Sequence, residues 1–225
     1  YQIYDGGIAL FSYDSSSPVL SAKVCSAAKE IFDRVDLKSY FYSRIDDERT
    51  PSLDVAACYW GLAALGEPVL TDIYRFLDDK EIGWKEKLYY GIALAELGDI
   101  ESAGNIYREI IKQYGQYVKP YVYLNMGEDR DVNIEMTALC AIIGIKGNIL
   151  GHDELFRYTM NNSTDDILTN LERLIYLTSK TPDTKQESSF TYSAAGKSEK
   201  VAIKGLERYR LVLTGDAFKE LQFNN

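Results

Sequence analysis

The sequence is poor in most residues that mark chemistry. It holds one histidine and three cysteines in 225 residues. Cys25, Cys58 and Cys140 are odd in number and far apart, which excludes a disulfide framework and a CxxC pair. Each lies among apolar residues of an expected helix, where a reduced cysteine acts as a small hydrophobe. So few histidines and cysteines cannot assemble a zinc site, and neither a metal nor a cofactor is expected. Positive charge is also scarce: 25 Lys and Arg stand against 34 Asp and Glu, a net charge of −9. That balance argues against nucleic acid or an anionic membrane as main partner. No apolar run approaches the roughly 18 residues of a membrane span, so no membrane insertion is expected. A glycine-rich phosphate loop and a nucleophile elbow are both missing. The chain opens on Tyr1 without a charged n-region, an apolar h-region or a cleavage site. It reads as a segment of a longer protein, whose neighbouring domains are then expected partners.

What is present points to helices. Hydrophobic residues make up 46% of the chain, enough for a sizeable core, and tyrosine alone occurs 18 times. The organising stretch runs from Leu53 to Gly66, small and apolar round much of a helix and ended by glycine. Lys87 to Gly98 echoes it closely, and Glu135 to Gly144 and Ser17 to Ala28 more loosely. Helical spacing and punctuation predict nine helices, starting near Pro18, Leu37, Ser52, Pro68, Trp84, Ile100, Asp131, His152 and Asp165. The first is expected to run to Asp33. Pro120 and the alternating Tyr121-Val-Tyr-Leu predict an extended connection over Val118 to Met126.

Ala22, Ala57, Ala93 and Ala138 are spaced 35, 36 and 45 residues apart. That period with helix–turn–helix content means an α/α hairpin repeat, each hairpin covering its neighbour's apolar face. After Pro182 the pattern changes. A polar linker over 181–189 precedes period-two alternation at Phe190-Thr-Tyr-Ser, Val201-Ala-Ile and Tyr209-Arg-Leu-Val-Leu-Thr, with turns at Ala195-Gly196-Lys197 and Gly205. Asp216 to Leu221 reads as a short helical turn. The expectation is a mainly α chain: residues 1–181 an α/α-hairpin, toroid-like arc, and residues 187–225 a small antiparallel β-hairpin or meander. The arc is expected to stay open, with the Asp5-Gly6-Gly7 turn folding the first 13 residues back over the first helix.

Asp5-Gly-Gly-Ile-Ala-Leu-Phe and Ser17-Pro-Val-Leu-Ser-Ala resemble the opening of a hairpin in the α/α-toroid families. These include the thioester domain of alpha-macroglobulin and complement proteins, the squalene and terpenoid cyclases, and the protein prenyltransferases. The alpha-macroglobulin branch fits best. Tyr89 to Asp99 and Asp131 to Leu139 resemble its later helices, Ser163 to Leu171 its closing one, and the strands from Phe190 to Phe223 the β segment that follows. The reactive motifs of these families are missing. No cysteine precedes Gly-Glu-Gln, no cyclase acid motif occurs, and the lone His152 lacks zinc-ligand company. The resemblance therefore implies the architecture without the chemistry. Tyr89 to Tyr117 also resembles a tetratricopeptide unit, through Gly91, Ala95 and Gly98.

Candidate binding residues are the aromatics Tyr59, Trp60, Trp84, Tyr89 and Tyr90, which would line a groove on the concave face. The plainer reading makes them core, and Trp60 is expected to fill a hairpin interface. Asp46-Asp47-Glu48, Asp78-Asp79 and Asp165-Asp166 read as solvated or helix-end acids rather than metal ligands. Asn161-Asn-Ser-Thr holds two overlapping glycosylation sequons. Catalytic residues are not identified. The expectation is a non-catalytic structural, protein-binding or glycan-binding module of a larger surface or secreted bacterial protein, placed outside the cell. The alternatives are a cyclase- or lyase-like enzyme whose acids meet in the central cavity, and a tetratricopeptide-like peptide scaffold.

Overall fold

The computed structural model describes residues 1–78, 81–127, 129–180, 187–204, 211 and 213–224. Two compact units divide the chain, Tyr1–Ser179 and Lys180–Asn225. The first holds α1 (Pro18–Ala28), α2 (Arg34–Asp46), α3 (Ser52–Leu65), α4 (Leu70–Leu77), α5 (Trp84–Glu96) and α6 (Ile100–Tyr114). It continues through strands β1 (Gly115–Val118) and β2 (Tyr121–Leu124) into α7 (Arg130–Lys146), α8 (His152–Asn161) and α9 (Ile167–Ser179). The chain is mainly helical, as its periodicity requires.

Local chemistry sets the helix ends. Ser17 caps α1 by accepting from the Leu20 N–H, and Pro18 pre-sets the first turn. α1 stops at Ala28, not at Asp33, and Lys29–Ile31 forms a 3-10 turn. Asp33 instead caps α2, accepting from Val35 and Asp36 N–H at 2.9 and 3.1 Å. At the far end of α3, Gly66 takes φ 86°, and the Glu67 N–H reaches back to the Leu62 carbonyl at 3.0 Å. α5 ends the same way, with Gly98 at φ 85° and the Asp99 N–H on the Leu94 carbonyl at 2.9 Å.

The odd-numbered helices pack in sequence, α1 on α3, α3 on α5, α5 on α7 and α7 on α9. α9 then packs on α1, so the inner helices close on themselves. This corrects the expectation of an open arc. The first helix finds its missing neighbour at the other end of the repeat, and among the described residues five inner helices complete the circuit. α3, α5 and α7 supply most of the core, with Trp60, Leu62, Leu88, Tyr89, Ile92 and Leu139 fully buried. The N-terminal loop does fold back on α1. Gly6 takes φ 86°, Ile8 and Ala9 are buried, and the Ile8 N–H donates to Ser21 Oγ at 2.8 Å. Leu10 and Phe11, further along the same loop, are exposed.

The extended connection expected over 118–126 is a two-stranded hairpin. β1 and β2 pair antiparallel with Val118 opposite Tyr121, round a cis Lys119–Pro120 bond. The second unit holds a sheet of order β4-β3-β5, from β3 (Glu187–Ala194), β4 (Lys197–Lys204) and β5 (Gln222–Asn224), with α10 (Gly215–Lys219) before the last strand. Ala195 at φ 50° and Gly196 at φ 71° make the tight β3–β4 turn. Tyr192, Ala194 and Val201 form its core. Most of the linker expected over 181–189, the Gly205 turn, Asp79 and half of the strand expected over 209–214 lie outside the described residues.

Candidate functional site

The five inner helices start at one end of the circuit, and their sixth residues are Lys23, Ala57, Tyr89, Glu135 and Glu172. With a rise of about 1.5 Å per residue, these stand at one depth, roughly 7.5 Å below the helix starts. Four of the five are polar, and two of them, Lys23 and Glu172, are the charged side chains buried in the core among the described residues. Lys23 Nζ lies 2.5 Å from Glu172 Oε1 and 3.6 Å from Glu135 Oε1, and both Lys23 and Glu172 side chains are wholly buried. Lys85 meets Glu135 at 2.6 Å. The result is a chain of two bases and two acids joining α1, α5, α7 and α9. Burial pushes the Glu172 carboxyl up from the ordinary 4.5 to about 8, against the attraction of Lys23. Burial also raises the Tyr89 hydroxyl, and Glu172 is the strongest charge acting on it. Glu172 Oε2, the Tyr89 hydroxyl and Trp60 Nε1 have no hydrogen-bond partner among the described residues.

Of the aromatics singled out from sequence, Tyr89 belongs to this layer and Trp60 packs on it, inside the protein. Trp60 and Tyr89 have no exposed surface, and their rings lie 5.4 Å apart. They are core and line no open groove. Tyr59, Tyr90 and Phe76 form a second cluster, and Tyr90 borders a shallow pocket with Ser52, Ile82 and Glu86. Trp84 is half-buried, edge-on to Tyr114 with Lys87 over its face. These rings thus serve three separate places and do not converge on one site.

The remaining candidates are tied into structure. His152 Nδ1 lies 2.6 Å from the Tyr176 hydroxyl, which donates to Asp153 Oδ1 at 2.8 Å, a clamp between α8 and α9. Asp47 takes Arg49 in a two-pronged pair, which holds its carboxyl down to about 2. Asp166 caps α9; burial opposes its charge, but hydrogen bonds from Thr169 and Leu168 hold it below the carboxylate range. All three cysteines are free and buried, and burial pushes the Cys25 and Cys58 thiols up to about 12. No cluster of three metal-ligating side chains occurs among the described residues.

An open site lies beside α7. The β1–β2 hairpin is pinned to that helix: the Leu124 N–H donates to Thr137 Oγ1 at 2.9 Å and the Met126 N–H to Asn133 Oδ1 at 2.6 Å. Asn133 Nδ2 returns to the Gly127 carbonyl at 3.0 Å, so both ends of its amide fix the loop. Against α8, Tyr123 stacks on Tyr158 with centroids 4.6 Å apart and planes 13° from parallel. Between these walls is a pocket of about 390 Å³, lined by Val118, Tyr121, Tyr123, Asn125, Arg130, Asn133, Tyr158 and Asn162. Arg173 backs it, holding the Thr159 and Asn162 carbonyls at 2.5 and 2.6 Å where α8 ends.

Sequence reasoning passed over both places. The buried layer had a signal, a lysine or glutamate inside a helix otherwise small and apolar, but its partners are far apart in the chain. The pocket had one too, in the tyrosines of Tyr121-Val-Tyr. No protein-family model matches the chain, and no curated protein does either.

Proposed function

We propose that the chain is a non-catalytic binding module of a larger surface or secreted bacterial protein, and that it takes a glycan or protein ligand in the tyrosine pocket beside α7. The observation that carries this reading is a separation. Among the described residues the cysteines, the central glutamate and the histidine are sealed or tied, while the pocket beside α7 carries recognition groups. Cys25, Cys58, Cys140 and Glu172 are buried, and His152 is held by Tyr176. The pocket offers phenol rings, amides and a guanidinium, the mixture by which small-ligand sites fix orientation. The resemblance to α/α toroids lacking their reactive motifs supports the same reading.

The rival is a cyclase- or lyase-like enzyme using the central acids. In its favour, Glu135 and Glu172 do meet, sharing Lys23. Against it, the Lys23 and Glu172 side chains are closed to solvent and held against one another. A tetratricopeptide-like scaffold is disfavoured by the packing of α9 on α1, since an open solenoid keeps its ends apart. The test is binding of immobilised polysaccharides and peptides by the whole chain and by Asn125→Ala. Asn125 is exposed and lines the pocket. The expected result is retention that Asn125→Ala weakens, with the ligand recovered unchanged after long incubation. Turnover of the ligand, or retention indifferent to pocket substitutions, overturns the reading.

A further inference from the structure

Among the described residues, the one charged side chain lining the tyrosine pocket is a cation. None of the eight lining residues is acidic, in a chain whose net charge is −9. Arg130 is exposed at the start of α7 and touches the Asn162 amide oxygen at 3.3 Å. Among the described residues no carboxylate lies within ion-pair distance of it. The nearby Asp129 turns its carboxylate to the Asp131 and Val132 N–H groups at 2.8 and 3.3 Å, capping the helix. A guanidinium with no carboxylate partner among the described residues, on so acidic a protein, is poised for an anion, and its planar fork matches a carboxylate.

The other groups say what carries that carboxylate. Tyr121, Tyr123 and Tyr158 bring half-buried rings and hydroxyls, and Asn125 brings an amide whose side chain has no hydrogen bond among the described residues. Val118 is the one aliphatic side chain in the lining. Phenol rings accept the C–H face of a pyranose, and hydroxyls and amides pair with its equatorial oxygens. An apolar peptide side chain would find little matching surface. The volume of about 390 Å³ suits a small ligand or one unit of a chain.

We infer that the pocket binds a carboxylate-bearing sugar, a hexuronate unit of a glycan, with Arg130 meeting the carboxylate and the tyrosines and Asn125 meeting the ring. This rests on the reading of the chain as a binding module. The test is calorimetric titration of the whole chain with three probes: a galacturonate trimer, the uncharged galactose trimer, and a short peptide with a free C-terminal carboxylate. Each is repeated with Arg130→Gln, with thermal melts showing that the variant stays folded. The expected result is binding of the galacturonate trimer that Arg130→Gln weakens about tenfold or more, and that added salt weakens too. The galactose trimer should bind more weakly and ignore the substitution. Equal binding of both sugars, unmoved by Arg130→Gln, overturns the anionic inference and leaves the glycan-binding module standing. Binding of the peptide alone overturns the sugar and keeps a binding module. Failure of all three probes at the pocket overturns the inference here.

Discussion

Glu172 shows what a single residue reveals about the whole core. Its carboxyl sits among apolar helices with one cation at 2.5 Å, and burial still raises it from 4.5 to about 8. An acid raised on folding binds its proton more tightly in the native state than in the unfolded one. Its contribution to stability is therefore complete below about pH 4.5 and is lost as pH rises through about 8. Between those values the slope is negative, up to about 1.4 kcal/mol per pH unit. The lowered groups Asp47, Asp99 and Asp166 act with the opposite sign, in the acid range. Urea midpoints measured from pH 6 to 8.5 should fall for the natural chain and run flatter for Glu172→Gln. Parallel curves would mean that Glu172 is ionised throughout and that the ion pair with Lys23 is complete.

At the scale of elements, the sequence was most readable where a side chain or a glycine punctuates the backbone locally. α3, α5 and α6 stand within a residue or so of their expected limits because Gly66, Gly98 and Asp99 mark them. Each does so through its own backbone or through an N–H no more than five residues away. Asp33 stands where the pattern alone ends α1 and in fact caps α2, because an aspartate's preference for a terminus does not say which one. The closing contact of α1 with α9 and the pocket wall made by β1 and β2 were not readable. Lys23 and Glu172 are separated by 149 residues, and no local pattern couples them. Tyr123 needs the turn at Pro120 and the amide of Asn133 before it faces Tyr158. The cap at Gly98 also makes a prediction. An added Cβ there meets nothing within 4 Å, so only the left-handed backbone at φ 85° resists a side chain. Gly98→Ala should cost about 1–2 kcal/mol in urea denaturation, and Gly98→Asn less. An alanine variant as stable as the natural chain would mean that the cap does not hold α5.

For the whole molecule, closure decides how the helical unit unfolds. In an open hairpin array each repeat touches only its neighbours, so removing the last one leaves the rest folded with somewhat less stability. Here the last inner helix is also the neighbour of the first. α9 packs on both α7 and α1, and its Glu172 partners the wholly buried Lys23. A chain ending at residue 163 loses one wall of the core from two sides at once. It uncovers the face of α1 that packs on α9 and leaves Lys23 with Glu135 alone, at 3.6 Å. Taking one partner from a buried pair typically costs about 3–5 kcal/mol, before the exposed apolar surface is counted. That is a large part of the roughly 5–15 kcal/mol that holds an ordinary domain together. A chain ending at residue 180 is the control, since it keeps α9 and lacks only the second unit. The control should melt in one sharp transition, with circular dichroism and tyrosine fluorescence coinciding. The shorter chain should lose that cooperativity and bind a hydrophobic dye while keeping much of its helix signal. Should it instead melt sharply within a few degrees of the control, α9 is an appendage, and the core closes without it.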